Sequence, residues 1–157
     1  MGQYPNMLDN IDKKILSRLQ VDATLSVDDI SDAVHLSRNA CWRRIKLLEE
    51  NGVIQKRVAI ASPEALGLGL QVFIAVRTDD HHQGWLDRFS RAVKDIPEIT
   101  GAYRMSGELD YLIRARISDI KDYDALYQRL IRKVQMSDVS ASFVMEEIKE
   151  TTALPVD

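Results

Sequence analysis

The hydrophobic pattern of this chain is purely helical in its first part and mixed in its second, and that change restricts its fold more than any other feature. Through about residue 50 the apolar residues recur at three- and four-residue steps, the helical spacing, whereas from Leu70 onward alternating runs and helical runs take turns. Such a chain divides into a helical part and a mixed α/β part. The densest Pro/Gly punctuation, "SPEALGLGL" at Ser62–Leu70, lies between the two and marks a linker. The expected division is therefore residues 1–62, a linker at 63–69, and a second domain at 70–157.

Three short helices are expected in the first part. In "LDNIDKKILSRL" Leu8, Ile11, Ile15 and Leu19 share a face, and Asp9 is placed to cap the first turn. "SVDDISDAV" opens on Ser26 with Asp29 three residues later, a capping box with Asp in place of Glu, and Val27, Ile30 and Val34 form its buried stripe. Ser37 caps a third helix whose Cys41, Ile45 and Leu48 fall at i, i+4 and i+7, and Gly52 supplies the left-handed residue that ends it. A short helix, a tight turn and a longer helix predict a helix-turn-helix.

The charge pattern indicates what this motif is for. The formal net charge is -3, yet between His35 and Leu48 stand Arg38, Arg43, Arg44 and Lys46 without one carboxylate. Residues 1–62 carry 9 Lys+Arg against 8 Asp+Glu, while residues 63–157 carry 12 against 16, so the acidity belongs to the second part. With Cys41, Ile45 and Leu48 turned inward, the cap Ser37 and the side chains of Arg38, Asn39, Trp42, Arg43 and Lys46 lie toward solvent or its margin. Arg and Asn can make bidentate bonds to guanine and adenine, so double-stranded DNA is the expected partner. A solvated basic face without a partner is the plainer alternative. Arg44 is open to two roles, a phosphate contact or a contact back to the first helix. Trp42 is expected to pack against the first helix rather than lie along the DNA backbone, and His35, in the turn, fills space or touches phosphate. After Gly52, Lys56 and Arg57 stand where a small wing would have its tip, although a plain connecting strand fits the residues equally well.

The second part reads strand, helix, strand, strand, helix, strand. "LQVFIAVRT" alternates Leu70, Val72, Ile74 and Val76 on one face, and "WLDRFSRAVKDI" brings Leu86, Phe89 and Val93 to helical spacing. "ITGAYRMS" and "YLIRARI" are strands joined through "GELD"; a helix follows with Tyr123, Leu126, Leu130 and Val134 inward, and Val139–Ile148 is the last strand. This β-α-β-β-α-β order is ferredoxin-like, which makes the whole chain α+β: a winged helix-turn-helix followed by a ferredoxin-like domain. Two helices cover one face of such a sheet. The other, with Phe73, Ala75, Ala102, Leu112 and Val144, is expected to be covered by a second copy of the chain.

Other chemistry finds little support in the residues. A composition of 45% hydrophobic and 29% charged residues suits a folded domain. No apolar run approaches the ~20 residues of a membrane span, and "MGQYPNMLDNIDKK" has no leader pattern, so a cytoplasmic protein that avoids membranes is expected. The single cysteine, Cys41, excludes an internal disulfide and reads as a small buried hydrophobe. "DDHHQ" at Asp79–Gln83 reads as a solvated loop rather than a metal site. Neither a phosphate loop nor a hydrolytic triad is present, so neither catalytic residues nor a cofactor are expected, and an enzyme built on the ferredoxin-like unit is disfavoured.

Three stretches carry a resemblance over nearly the whole chain: "LDNIDKKIL" at Leu8–Leu16, "LSRNACWRRIKLLEENGVI" at Leu36–Ile54, and "SGELDYLI" at Ser106–Ile113 followed by "SFVMEEIKETTALP" at Ser142–Pro155. The chain resembles the Lrp/AsnC, or feast/famine, family of transcription regulators. That resemblance implies a DNA-entering segment at Ser37–Lys46, dimers that gather into octamers or related rings, and an amino-acid effector pocket between subunits. The pocket would include Met105, Ser106, Gly107, Glu108 and Asp110. Amides around Ser106 and Gly107 suit a carboxylate, and Glu108 or Asp110 an ammonium, although Gly and Asp are also the residues of an ordinary hairpin turn. The chain departs from the family pattern at Leu109, at Lys133–Asp138, and at Val139 and Ala141, so no particular effector is carried over. An architectural protein that wraps DNA without sensing anything would use the same helix.

Overall fold

The computed structural model describes residues 8–156. Residues 1–7, part of the stretch read for a leader, and residue 157 lie outside the described residues. The chain forms two compact units, Met1–Ala59 with Lys149–Asp157, and Ile60–Ile148.

In the first unit, α1 (Asn10–Val21), α2 (Val27–Val34) and α3 (Arg38–Glu50) each start at an expected cap. The Asp9 carboxylate accepts from the Ile11 and Asp12 amides, Ser26 and Asp29 close a reciprocal box, and the Ser37 hydroxyl accepts from the Ala40 amide. Ile15, Leu16, Leu19, Ile30, Val34, Cys41, Ile45 and Leu48 form one buried cluster. The α2–α3 turn runs through His35 in the left-handed region at φ 57°, and Gly52 follows α3 at φ 72°. Residues 53–62 contain no strand; Arg57 turns back to Glu49 at 3.1 Å.

The segment Lys149–Asp157, assigned from sequence to the second domain, clusters with the first unit. Gln20 of α1 binds the Leu154 backbone through both ends of its amide, donating to the carbonyl at 3.0 Å and accepting from the N–H at 2.7 Å. Val156 packs against the helical core.

The second unit is a four-stranded antiparallel sheet, β1 (Leu70–Arg77), β2 (Ile99–Arg104), β3 (Tyr111–Ile117) and β4 (Asp138–Phe143), in the order β2-β3-β1-β4. The helices α4 (Gln83–Lys94) and α5 (Ile120–Lys133) complete the ferredoxin-like order. Val72, Ile74, Val76, Ile113, Ala115 and Ile117 meet Phe89, Leu126 and Leu130 in the core. The buried residues of α4 are Trp85, Phe89 and Ala92: Phe89 is as expected, while Leu86 and Val93 pack at the core's edge because the large Trp85 ring takes the centre and stacks on Phe89 at 5.1 Å. The Pro/Gly segment read as a linker groups with this unit and forms a turn in which the Leu68 amide donates to the Pro63 carbonyl at 2.7 Å.

Three expectations for the sheet are corrected. Strand β4 ends at Phe143 rather than Ile148, since its partner β1 begins at Leu70 and the last rung is Val144 N–H to the Gln71 carbonyl. The register shifts between Ile99 and Gly101, so Ala102 lies opposite the buried Ile113 on the helix-covered face, and Tyr103, opposite Leu112, takes its place on the other. That other face also carries Arg114 and Arg116 of β3, and Ser140 and Ser142 of β4, making it more polar than Phe73, Ala75 and Leu112 alone suggested.

Candidate nucleic-acid interface and effector turn

The inward stripe of α3, Cys41, Ile45 and Leu48, is at most 4% exposed, and a 3.6-residue helix then leaves Asn39, Arg43 and Lys46 outside, while Arg38 is exposed as the first residue of the helix. Trp42 is outside as well: it is 53% exposed, which corrects the expectation that it packs against the first helix. One residue along from Cys41, it is swung about 100° away from the stripe that reaches the core. Burial of the Cys41 side chain pushes its thiol up, so it stays protonated and inert.

The four cations of α3 are not equivalent. Arg44 donates to Asp9 at 2.7 Å and Asp12 at 2.8 Å, which settles its open role: it points back to α1 and is held there. Those two partners raise its already high pKa, Asp12 first. Lys46 binds Glu49 at 3.0 Å, and this bond, with Arg57 adding to it, lowers the Glu49 carboxyl. Arg38 meets Asp28 of α2 at 3.2 Å. Among the described residues Arg43 is the cation of α3 with no carboxylate partner.

The turn between β2 and β3 brings Met105, Ser106, Gly107, Glu108 and Asp110 together as a closed structure. The Met105 amide donates to the Asp110 carbonyl at 2.8 Å, and the Arg77 guanidinium donates to the Glu108 carbonyl at 2.8 Å. Gly107 sits at φ 115°, a conformation that side chains resist, with no neighbour within 4 Å of where a Cβ would stand. One oxygen of Asp110 accepts the Thr78 amide at 2.9 Å, so this carboxylate ties the turn to the end of β1. Of the two carboxylates suited to an ammonium, Glu108 is the exposed one. A separate cavity of about 490 Å³ opens beside α4 and β2, lined by Phe89, Val93, Ile96, Ala102 and Arg104 among others, and no residue of 105–110 lines it.

In comparison with known proteins, residues 8–55 match the winged helix-turn-helix DNA-binding model, and residues 71–154 match the Lrp/AsnC ligand binding domain. The chain belongs to the Lrp/AsnC family. This Lrp/AsnC chain is 47% identical over 149 residues to the glutamate uptake regulatory protein of Zymomonas mobilis, covering 95% of this chain and 91% of that one. It is 46% identical over 152 residues to the DNA-binding transcriptional activator DecR of Escherichia coli, covering 96% and 100%. Its fold superposes on an AsnC family transcriptional regulator from Agrobacterium tumefaciens with a TM-score of 0.91 at 49% identity, covering 94% and 97%. It superposes on a transcriptional regulator from Neisseria meningitidis, solved with L-Met, with a TM-score of 0.92 at 36% identity, covering 96% and 98%. This Lrp/AsnC chain is a DNA-binding transcriptional regulator.

Sequence reading passed over several residues that shape these two sites. Glu49 is three residues after Lys46, a spacing that signals a helical ion pair, and was legible. Asp28 and Thr78 left no such signal, because their partners Arg38 and Asp110 come near only through the fold. Among the described residues no helix is long and apolar enough to cross a membrane. Asp79–Gln83 leads into α4, where the Asp80 carboxylate accepts the His82 amide at 2.9 Å.

Proposed function

We propose that this regulator reads its operator with the N-terminal half of α3 and answers to an amino acid held at the turn 105–110. The carrying observation is that Asn39, Trp42 and Arg43 stand exposed on the side of α3 away from its buried stripe, with Arg38 exposed at the first residue of the same helix. Arg38, Asn39 and Arg43 make the base-edge contacts, Trp42 an apolar contact, and Lys46 and the Ser37 end of the helix contact phosphate. Arg44 supports the reading element from behind. The partly apolar sheet face with Phe73, Ala75 and Leu112 is where a second copy docks, and a symmetric dimer presents two recognition helices to half-sites about 10 to 10.5 base pairs apart, or a multiple of that.

Selection of an operator from a randomised duplex pool, followed by binding of Asn39→Ala and Arg43→Ala, tests the DNA reading. Each substitution lowers discrimination by about 1 to 3 kcal/mol; unchanged affinity and preference in both would show that another element reads the bases.

For the effector, the turn offers exposed amides at Ser106 and Gly107 and the exposed Glu108 carboxylate, a set complementary to an amino acid's two charges. The Neisseria relative, solved with L-Met, supports an amino acid as the ligand class. A thermal-shift screen of the full chain against the proteinogenic amino acids is expected to give a hit that Glu108→Ala weakens. A hit that Glu108→Ala leaves unchanged moves the pocket elsewhere, with the cavity beside α4 next in line. The absence of any hit favours architectural DNA wrapping.

A further inference from the structure

The exposed face of α3 is less positive than its sequence, because its own chain supplies counter-charges. Arg38, the first residue of α3, has its Nε 3.2 Å from the Asp28 carboxylate of α2, and both side chains are well exposed. Asp28 makes no cap hydrogen bond, and its structural share is that of a first-turn carboxylate facing the dipole of α2. The amino end of α2 is already closed by the reciprocal Ser26–Asp29 box, and Asp29 rather than Asp28 forms it. The pair is too exposed to contribute much to stability.

Its position matters more for DNA. Attraction to any duplex, whatever its sequence, comes from cations that neutralise phosphates and release counterions. A cation already neutralised within its own chain must give up that partner first, so it adds little to binding at random sites. A guanine edge offers Arg38 two acceptors in a fixed geometry and outweighs the loss, whereas a phosphate alone roughly exchanges one anion for another. Arg43, without such a partner, contributes at every site.

We propose that Asp28 is a specificity-determining residue that touches no base: it holds Arg38 in reserve and lowers affinity for non-operator DNA. This rests on the reading of α3 as the recognition helix. The test compares full-length wild type, Asp28→Asn, Asp28→Glu and Arg43→Ala on the selected operator and on a scrambled duplex over a range of salt, with a thermal melt of each. Asp28→Asn is expected to melt slightly below wild type, through the lost first-turn charge of α2, and to bind the scrambled duplex about two- to fivefold tighter, the effect of one exposed ion pair. Its salt dependence on that duplex steepens by about 0.9, one added phosphate contact. Operator affinity rises less, so discrimination falls, and Asp28→Glu, which keeps the charge, discriminates as wild type. The proposal is overturned by scrambled-duplex affinity in Asp28→Asn that is unchanged or reduced, or by Asp28→Glu behaving like Asp28→Asn. If Arg43→Ala binds both duplexes as tightly as wild type, the reading of α3 itself fails. If Arg43→Ala weakens binding while Asp28→Asn changes nothing, only the role of Asp28 is lost.

Discussion

Arg44 of α3 donates to the Asp9 carboxylate at 2.7 Å, and Asp9 is the residue that caps α1. One guanidinium thus joins α3 to the amino end of α1, with Asp12 as a second acceptor at 2.8 Å. Arg43 and Arg44 are neighbours in sequence with opposite duties. Arg44→Ala is expected to lower the melting temperature by a few degrees while base preference stays as in wild type, because the bonds it removes join two helices of the protein and none reaches DNA. Arg43→Ala should do the reverse, keeping the melting temperature and losing about 1 to 3 kcal/mol of discrimination. Thermal melts alongside operator binding check the pair; a relaxed base preference in Arg44→Ala would contradict the internal role.

The two left-handed residues that frame α3 give a second prediction. His35 adopts φ 57° with a side chain that resists it, so His35→Gly should stabilise the chain by about 0.5 to 1 kcal/mol after the greater freedom of glycine in the unfolded chain is counted. Gly52→Ala meets no neighbour within 4 Å, so its cost of about 1 to 2 kcal/mol arises from the backbone alone. Denaturant unfolding measures both. A loss of stability in His35→Gly would mean that the imidazole makes an interaction worth more than the strain.

Acid should weaken the first unit through its helix caps. The Asp12 amide and the Arg44 side chain hold the Asp9 carboxyl below its ordinary 3.8, and the Ser26 hydroxyl and amide do the same for Asp29. A carboxyl depressed by folding stabilises the fold while ionised; this stability is present above 3.8 and is lost as pH falls through the depressed folded value. Unfolding curves between neutral pH and pH ~3 should therefore fall at the acid end. Asp9→Asn, which can still cap but does not titrate there, should fall less steeply than wild type.

The segment after Ile148 yields the fourth prediction. Removing residues 151–157 takes Val156 from the helical cluster and frees the Gln20 amide, so the truncated chain should show a lower melting temperature for the first unit. A fragment of residues 60–148 keeps the whole second core and is expected to fold and to self-associate in light scattering. A truncated chain that melts as wild type would show that the docked segment contributes no stability.

Much of the fold was legible because the forces that set it act over a few residues. The capping box at Ser26 and Asp29, the cap at Ser37, the left-handed Gly52, and the stripe of Cys41, Ile45 and Leu48 all depend on groups within one or two helical turns. Alternation likewise placed Val72, Ile74 and Val76 on one face of β1 before any partner strand was known. Tertiary structure decided which charges meet and where pairing stops. Spacing could show that α3 is basic but not that Arg38 meets Asp28, that Arg44 meets Asp9, or that Arg43 is left over, because such partners come within reach only after the helices pack. Pairing is likewise a property of two strands: β4 ends where β1 begins, and the shift between Ile99 and Gly101 carries Ala102 to the opposite face. The docking of Leu154 on Gln20 joins residues at opposite ends of the sequence, and no local period encodes an interaction at that separation.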